Sequence, residues 1–189
     1  MNNKKSLILI DASNLYYGFI NYNWELNYVK FYRWLHKNFA PIGIYFFDGT
    51  MTQKTFFEKY PNYTLQDFIL HKDKENDFFK MLKHVGYKIR TKPVASVYDK
   101  TSGDYKRKCN FDVEITILAL DLLNDYDELV LCSGDGDFIK LLKYVKGKFK
   151  KTTIIAHKDR TNQELKKTAN GAISVESIRS EIGRNKRLP

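Results

Sequence analysis

The sequence predicts an α/β fold with a mainly parallel sheet. Short runs of aliphatic and β-branched residues recur along the chain, and most are followed by a segment with helical spacing of apolar residues. This alternation is typical of βαβ units, in which a helix crosses from one strand to a parallel neighbour. No internal repeat, low-complexity segment or linker interrupts the pattern, so we expect one domain over residues 1–189. The clearest strands are residues 6–11, 42–47, 129–132 and 151–156.

The first half of the chain begins with the strand Ser6–Asp11 and a polar turn that can start a helix. Helical spacing of aromatic residues predicts a helix over 27–39, followed by the strand 42–47 and a turn at Asp48-Gly49-Thr50. Residues 51–80 are irregular and aromatic. We assign these aromatic side chains to the core or to a contact between two copies, rather than to base stacking. A helix should end before Gly86.

The second half begins with two short strand candidates, 87–90 and 94–98, and a polar loop or hairpin over 99–108. A helix is predicted over 111–123, and the strand 129–132 then runs through a Ser-Gly-Asp turn into another helix. The strand 151–156 precedes a helix that starts at Asn162. Residues 173–182 form a short strand or helix, and a basic tail follows from about residue 183.

Composition narrows the class of protein. Hydrophobic residues make up 43% of the 189 residues, which is enough for a packed core. No apolar run approaches the ~18 residues of a membrane span, and the polar N-terminus has no secretory pattern. Cys109 and Cys132 do not form a disulfide framework or a zinc motif, so a cytoplasmic location is expected.

The net charge of +10 is concentrated in the last third of the chain. Residues 140–189 contain fourteen Lys or Arg and four Asp or Glu, whereas residues 112–137 contain eight acidic residues and no basic one. An acidic segment beside a basic one suits a metal site flanked by a polyanion-binding face. The alternative is an ordinary solvated lysine-rich surface.

Acidic residues follow two predicted strands and start one predicted helix. Asp11 ends the first strand, Asp112 lies in the first turn of a helix, and Asp135 and Asp137 follow the strand 129–132. In open α/β sheets, ligands bind beyond the carboxyl ends of the strands. Carboxylates gathered there would suit Mg²⁺ or Mn²⁺, although Asp11 could instead cap the next helix and Asp112 could be an ordinary acid favoured by the helix dipole. Asn14 could orient a phosphate or water beside them.

Three motifs in this order resemble the NYN domain, specifically its LabA-like branch within the PIN-like nuclease superfamily. The motifs are residues 10–14 (Ile-Asp-Ala-Ser-Asn), 109–114 (Cys-Asn-Phe-Asp-Val-Glu) and 133–138 (Ser-Gly-Asp-Gly-Asp-Phe). The resemblance implies a Rossmann-like three-layer α/β/α sandwich, bound Mg²⁺ or Mn²⁺, and RNA as the commonest substrate. The sequence departs from the family pattern at Leu118, a position at which members often have a second Asp. The next acidic residue along the chain is Asp121.

By position, the resemblance assigns Asp11, Asp112 and Asp135 to the metal, with Asp137 and Asn14 as further catalytic residues. The function expected is a metal-dependent endoribonuclease. The alternatives are a non-catalytic nucleic-acid-binding module, a nuclease acting on DNA, and a phosphohydrolase acting on small nucleotides. The residues expected to bind the nucleic-acid backbone are basic: Lys106, Arg107, Lys108, Lys140, Lys143, Lys158 and Arg160.

Overall fold

Six strands form one parallel sheet at the centre of the molecule. The structure is a computed structural model that describes residues 4–20, 22–99 and 104–186. The strands are β1 (Lys5–Asp11), β3 (Ala40–Thr50), β4 (Lys88–Pro93), β7 (Glu128–Cys132), β8 (Lys151–Ala156) and β9 (Gly171–Ser174). Their order is β4-β3-β1-β7-β8-β9, and each neighbouring pair is parallel. The predicted α/β fold with a mainly parallel sheet is confirmed.

Helices cover both faces of this sheet. Side chains alternate along β1, so that Ile8 and Ile10 enter one core while Leu7 and Leu9 enter the other. The first core is covered by α1 (Ala12–Gly18), α2 (Tyr28–Asn38), α4 (Leu65–Val85) and α8 (Arg179–Ile182), and the second by α5 (Asp112–Asp121), α6 (Ile139–Gly147) and α7 (Gln163–Thr168). These three layers are the α/β/α sandwich that the family resemblance implies.

Two smaller antiparallel pairs lie outside the main sheet. The strands β5 (Ala95–Asp99) and β6 (Asp104–Lys108) form the hairpin expected over 99–108. The strand β2 (Trp24–Leu26) pairs with β10 (Gly183–Asn185), so the basic segment from residue 183 begins as a strand. Residues 187–189 of that segment lie outside the described residues.

The aromatic stretch after β3 is helical, not irregular as expected. The helix α3 (Gln53–Lys59) starts at Thr52 and α4 starts at Thr64, each with a reciprocal capping box that satisfies the first backbone N–H groups. The helix α4 then ends at Gly86 in a left-handed conformation, φ 119°, as the sequence indicated. Among the described residues, no helix combines the length and apolar character needed to cross a bilayer.

The direction in which successive strands are added to the sheet reverses between β1 and β7. The chain leaves β1 toward β3 and β4, whereas it leaves β7 toward β8 and β9 on the other side. In open parallel sheets, ligands bind at this switch point, in the crevice beyond the carboxyl ends of the two strands. Asp11 ends β1 and Ser133 follows β7, so the first and third motifs meet there.

Candidate metal centre

Three carboxylates converge at this edge of the sheet. Asp112 is the first residue of α5, Asp135 lies in the turn after β7, and Asp137 lies in the short 3₁₀ turn that follows. One carboxylate oxygen from each residue lies within 4.8 Å of the corresponding atoms of the other two. The structure therefore brings together Asp112 and Asp135, as expected, and adds Asp137 as the third member of the cluster.

Local hydrogen bonds hold the side chains of Asp112 and Asp135 and the backbone of Asp137 in place. Asn110 Nδ2 donates to Asp112 Oδ2, and the Asp112 N–H donates back to Asn110 Oδ1, both at 2.6 Å. The Asp137 N–H donates to Asp135 Oδ1 at 3.0 Å, so Asp135 caps the 3₁₀ turn. These contacts leave further carboxylate lone pairs for a ligand, because each oxygen can accept more than one bond.

The electrostatics of the cluster favour a cation. Burial raises the pKa of Asp112, and the negative charges of Asp135, Asp11 and Asp137 raise it further. Among the residues whose side chains are described, none forms a salt bridge with Asp112, Asp135 or Asp137. Several carboxylate oxygens without a compensating cation are the donor set that Mg²⁺ and Mn²⁺ prefer, so the residues fit such an ion.

Asp11 differs from the cluster because its oxygens already have partners. Asp11 Oδ1 accepts hydrogen bonds from Ser13 Oγ at 2.8 Å and from the Asn14 N–H at 3.2 Å, while Oδ2 accepts one from Ser133 Oγ at 3.2 Å. The residue is only 8% exposed, and burial raises its pKa despite these donors. Asp11 therefore caps α1 and contacts the turn after β7 through Ser133. It is not a member of the cluster of Asp112, Asp135 and Asp137.

Asn14 joins α1 to the same turn. Its Oδ1 accepts a hydrogen bond from the Gly134 N–H at 2.9 Å. The turn is packed closely on its other side, where a Cβ on Gly134 would lie 2.7 Å from the Arg160 carbonyl oxygen. Glycine is required at this position because a backbone atom cannot move aside as a flexible side chain could. Asn14 thus positions the turn that carries Asp135.

Two further acidic residues lie apart from the cluster. Asp48 lies within β3, because the strand continues to Thr50 through pairing with β4; the predicted turn at 48–50 was wrong. Burial raises the pKa of Asp48 to about 6, and the charges of Glu75 and Asp11 contribute. Asp121 is the last residue of α5, roughly 13 Å along the helix axis from Asp112 at the usual rise per residue.

Four of the basic residues expected to bind nucleic acid have exposed side chains in the segments that follow β7 and β8: Lys140, Lys143, Lys158 and Arg160. Lys140 is in the first turn of α6, and Lys158 follows β8. Lys143 forms a salt bridge with Glu164 at 3.0 Å, and Arg160 donates to the Tyr17 carbonyl at 3.3 Å. The other three belong to β6, where the structure describes the backbone but not the side chains: Lys106, Arg107 and Lys108.

Sequence reasoning did not assign roles to several residues that shape the centre. Ser133 links Asp11 to the Asp135 N–H, which donates to its Oγ at 3.2 Å. His157 is buried and contacts the Leu15 carbonyl through Nε2 at 3.0 Å and Glu176 through Nδ1 at 3.1 Å. Ser133 was visible in its motif, whereas nothing in the local sequence marks the contacts of His157.

Comparisons with known proteins identify the family of this chain and a solved structure with the same fold. The sequence profile of the NYN domain matches residues 5–176. The low amplitude and bright protein LabA of Synechococcus elongatus is 32% identical over 114 residues, which are 60% of this chain and 61% of LabA. The match therefore spans about three fifths of the length of that relative.

A crystal structure of a protein of unknown function from Vibrio parahaemolyticus is similar to this structure over nearly the whole chain. The TM-score is 0.69 over 93% of this chain and 95% of the other, at 24% sequence identity. At this identity the likeness establishes the fold alone.

Proposed function

The chain belongs to the NYN domain family, and from this premise we propose that it is a divalent-metal-dependent endoribonuclease. The observation that carries the proposal is the convergence of Asp112, Asp135 and Asp137 at the switch point of the sheet. NYN domains are generally nucleases, and the convergent carboxylates lie where open α/β sheets bind their ligands.

Asp112, Asp135 and Asp137 would hold Mg²⁺ or Mn²⁺ in this proposal. Asp11 Oδ2 accepts a single hydrogen bond, so it retains a lone pair with which Asp11 can join the set. When bound, such an ion neutralises phosphodiester charge and lowers the pKa of a coordinated water. The protein's own part is to fix the carboxylates: Asn110 holds Asp112, and Ser133 holds both Asp11 and the backbone of Asp135.

The remaining residues of the proposal bind and orient the substrate. Asn14 fixes the turn through Gly134, and its position beside Asp11 suits contact with a substrate phosphate. Lys140, Lys158 and Arg160 offer exposed cations to the phosphate backbone. Such contacts would give binding that weakens with salt and depends little on sequence.

One observation favours a second candidate, an RNA-binding module of the same fold that does not cleave. Leu118 packs partly buried against the core beneath α5, at a position where family members often have a second acid. Asp121 does not compensate, because it lies at the opposite end of α5 from Asp112. A nuclease acting on DNA, or a phosphohydrolase of small nucleotides, would use the same carboxylates.

The test is single-turnover cleavage of labelled RNA in Mn²⁺ or in EDTA. Wild-type protein should cleave only with the metal, and Asp135→Asn should lose at least a hundredfold in rate. Asparagine keeps an oxygen for the Asp137 N–H, so the turn is preserved while the charge is removed. Asp121→Asn is the matched control, because it removes the same charge from an exposed site away from the cluster and should cleave at the wild-type rate.

The other outcomes separate the alternatives. Equal cleavage by wild type and Asp135→Asn would contradict the proposal. RNA binding without cleavage, with Mn²⁺ bound, would select the non-catalytic module. Parallel reactions with single-stranded DNA and with small nucleotides identify the substrate class.

A further inference from the structure

A cavity of about 650 Å³ opens on the α1 side of the sheet, and Asp112, Asp135 and Asp137 are not among the residues that line it. Ser13, which donates to Asp11, and Cys109, three residues before Asp112, belong to its lining. The volume falls within the range of small-molecule sites and exceeds what one nucleobase needs. The hydrogen bonds of Asp11 to Ser13 and to Ser133 connect the cavity lining to the turn that carries Asp135.

Tyrosine rings form one wall of the cavity. Tyr16 and Tyr17 are consecutive residues of α1, and they are 63% and 51% exposed. Their ring centroids are 5.7 Å apart in an edge-to-face arrangement, and both residues line the cavity. Tyr28 adds a third ring, packed edge-on against Phe78 with centroids 5.2 Å apart. Exposed aromatic rings are surfaces on which nucleobases stack.

Charged side chains border the rest of the cavity. Lys59 and Lys186 supply positive charge to its lining, whereas Arg184 forms a salt bridge with Glu25, another lining residue, at 2.9 Å. Lys186 donates to the carbonyls of Phe19 and Ile20 at 2.9 and 3.1 Å, so its ammonium is held at the end of α1. Positive charge beside aromatic rings suits a ligand that has both a planar apolar part and a phosphate.

Asp48 adds an acceptor to the cavity lining. Among the described residues, its carboxylate has a single hydrogen-bond partner, the Gly49 N–H, which donates to Oδ1 at 2.8 Å. A carboxylate with unused acceptor capacity can bind an amino group of a base or a ribose hydroxyl.

We propose that this cavity binds one unpaired nucleotide of the RNA strand, with its base against Tyr16 and Tyr17 and its phosphate near Lys59 and Lys186. The inference rests on the proposed function for the identity of the strand. A base can enter the cavity only when it is unstacked and unpaired, so the substrate is single-stranded at that nucleotide. Tyr16 and Tyr17 are substrate-binding residues in this account.

The test is equilibrium binding of short, single-stranded RNA homopolymers in EDTA, measured by fluorescence anisotropy, so that cleavage has no part in it. The double variant Tyr16→Ala/Tyr17→Ala should weaken binding about tenfold or more, which corresponds to about 1.4 kcal/mol. Tyr16→Phe/Tyr17→Phe keeps both rings and should bind as wild type. The matched control is Tyr63→Ala, a tyrosine of similar exposure, 53%, outside the cavity lining.

Three further arms sharpen the test. An abasic strand should bind wild type and the alanine double variant equally, because it has no base to stack. A duplex of the same sequence should not distinguish wild type from the double variant either. Competition by a free mononucleotide at the concentration of the strand would overturn the assignment to RNA and make the free nucleotide the ligand.

The outcome is separable from the fate of the proposed nuclease activity. Binding that depends on the two rings, in a protein that does not cleave RNA in Mn²⁺, would support the cavity and contradict the nuclease. Cleavage with unchanged binding by the alanine double variant would overturn the cavity and leave the nuclease standing.

Discussion

Asp11 and the cluster of Asp112, Asp135 and Asp137 are carboxylates at one edge of one sheet, yet their surroundings differ. Asp11 is buried, and its two oxygens accept three hydrogen bonds from Ser13, Asn14 and Ser133. The cluster is partly exposed, and its members face one another without a salt bridge among the described side chains.

The difference separates a carboxylate whose oxygens are mostly used by hydrogen bonds within the protein from carboxylates whose oxygens are mostly free for a ligand. Hydrogen bonds offset the cost of burying a charge, so Asp11 can join α1 to the turn after β7. The cluster has fewer such donors and retains mutual repulsion, which an ion would relieve. Substitutions in the two regions should therefore change stability with opposite signs.

The largest effect is expected at Asp48, a half-buried carboxylate with fewer hydrogen-bond donors than Asp11. Its pKa in the folded state is about 6, above the usual 3.8, so the folded protein holds an extra proton between these values. The stability this gives is present at low pH and lost as pH rises through 6. Asp48→Asn should therefore raise the free energy of unfolding by up to about 3 kcal/mol at pH 8 and change it little at pH 4.

Urea denaturation at the two pH values measures this difference. Asp125→Asn, at an exposed site, is the control and should show no pH-dependent gain. A constant difference between Asp48→Asn and wild type across pH would contradict the account.

The next effect is expected at Ser133, which connects the two regions. Ser133 is fully buried, and Ser133→Ala removes the donor to Asp11 Oδ2 and the acceptor of the Asp135 N–H. Unpaired buried groups should lower the free energy of unfolding by about 2 kcal/mol. Ser180→Ala, an exposed serine of α8, should change it little in the same denaturation experiment. Wild-type stability of Ser133→Ala would show that the link between Asp11 and the turn is weak.

The smallest effect is expected within the cluster. Asp137→Asn removes one of three facing negative charges, so it should raise stability by about 0.5 kcal/mol in EDTA. With Mn²⁺ the sign should reverse, because the variant has lost a ligand while wild type gains binding energy. Thermal melts in EDTA and in Mn²⁺ provide the comparison. Loss of stability in both buffers would mean that Asp137 has a structural role instead.

At the carboxyl edge of the sheet, the sequence predicted the features that depend on the local pattern of apolar and turn residues. Apolar runs that end in Asp11 and in the Ser133–Asp135 turn are strand signals, and parallel strands bring such ends to one edge. Gly86 likewise ended α4 where a left-handed residue is needed. The three-motif resemblance added Asp112, because its place beside Asp135 depends on the tertiary fold.

Features fixed by distant pairing were not predictable. The strand β2 is three residues long and exists through pairing with β10, about 160 residues later. Asp48 looked like a turn residue because Gly49 follows it, but pairing with β4 extends the strand past both. The nearness of Asp137 to Asp112 also has no local signal, since it depends on how α5 packs against the turn after β7.

Calorimetric titration with Mn²⁺ tests the central claim, that the acidic cluster binds a divalent ion, most directly. Wild-type protein and Asp121→Asn should bind Mn²⁺ with equal affinity, whereas Asp135→Asn should bind at least tenfold more weakly, a loss of about 1.4 kcal/mol. Equal affinity of all three proteins for Mn²⁺, or no binding by the wild type, would contradict it.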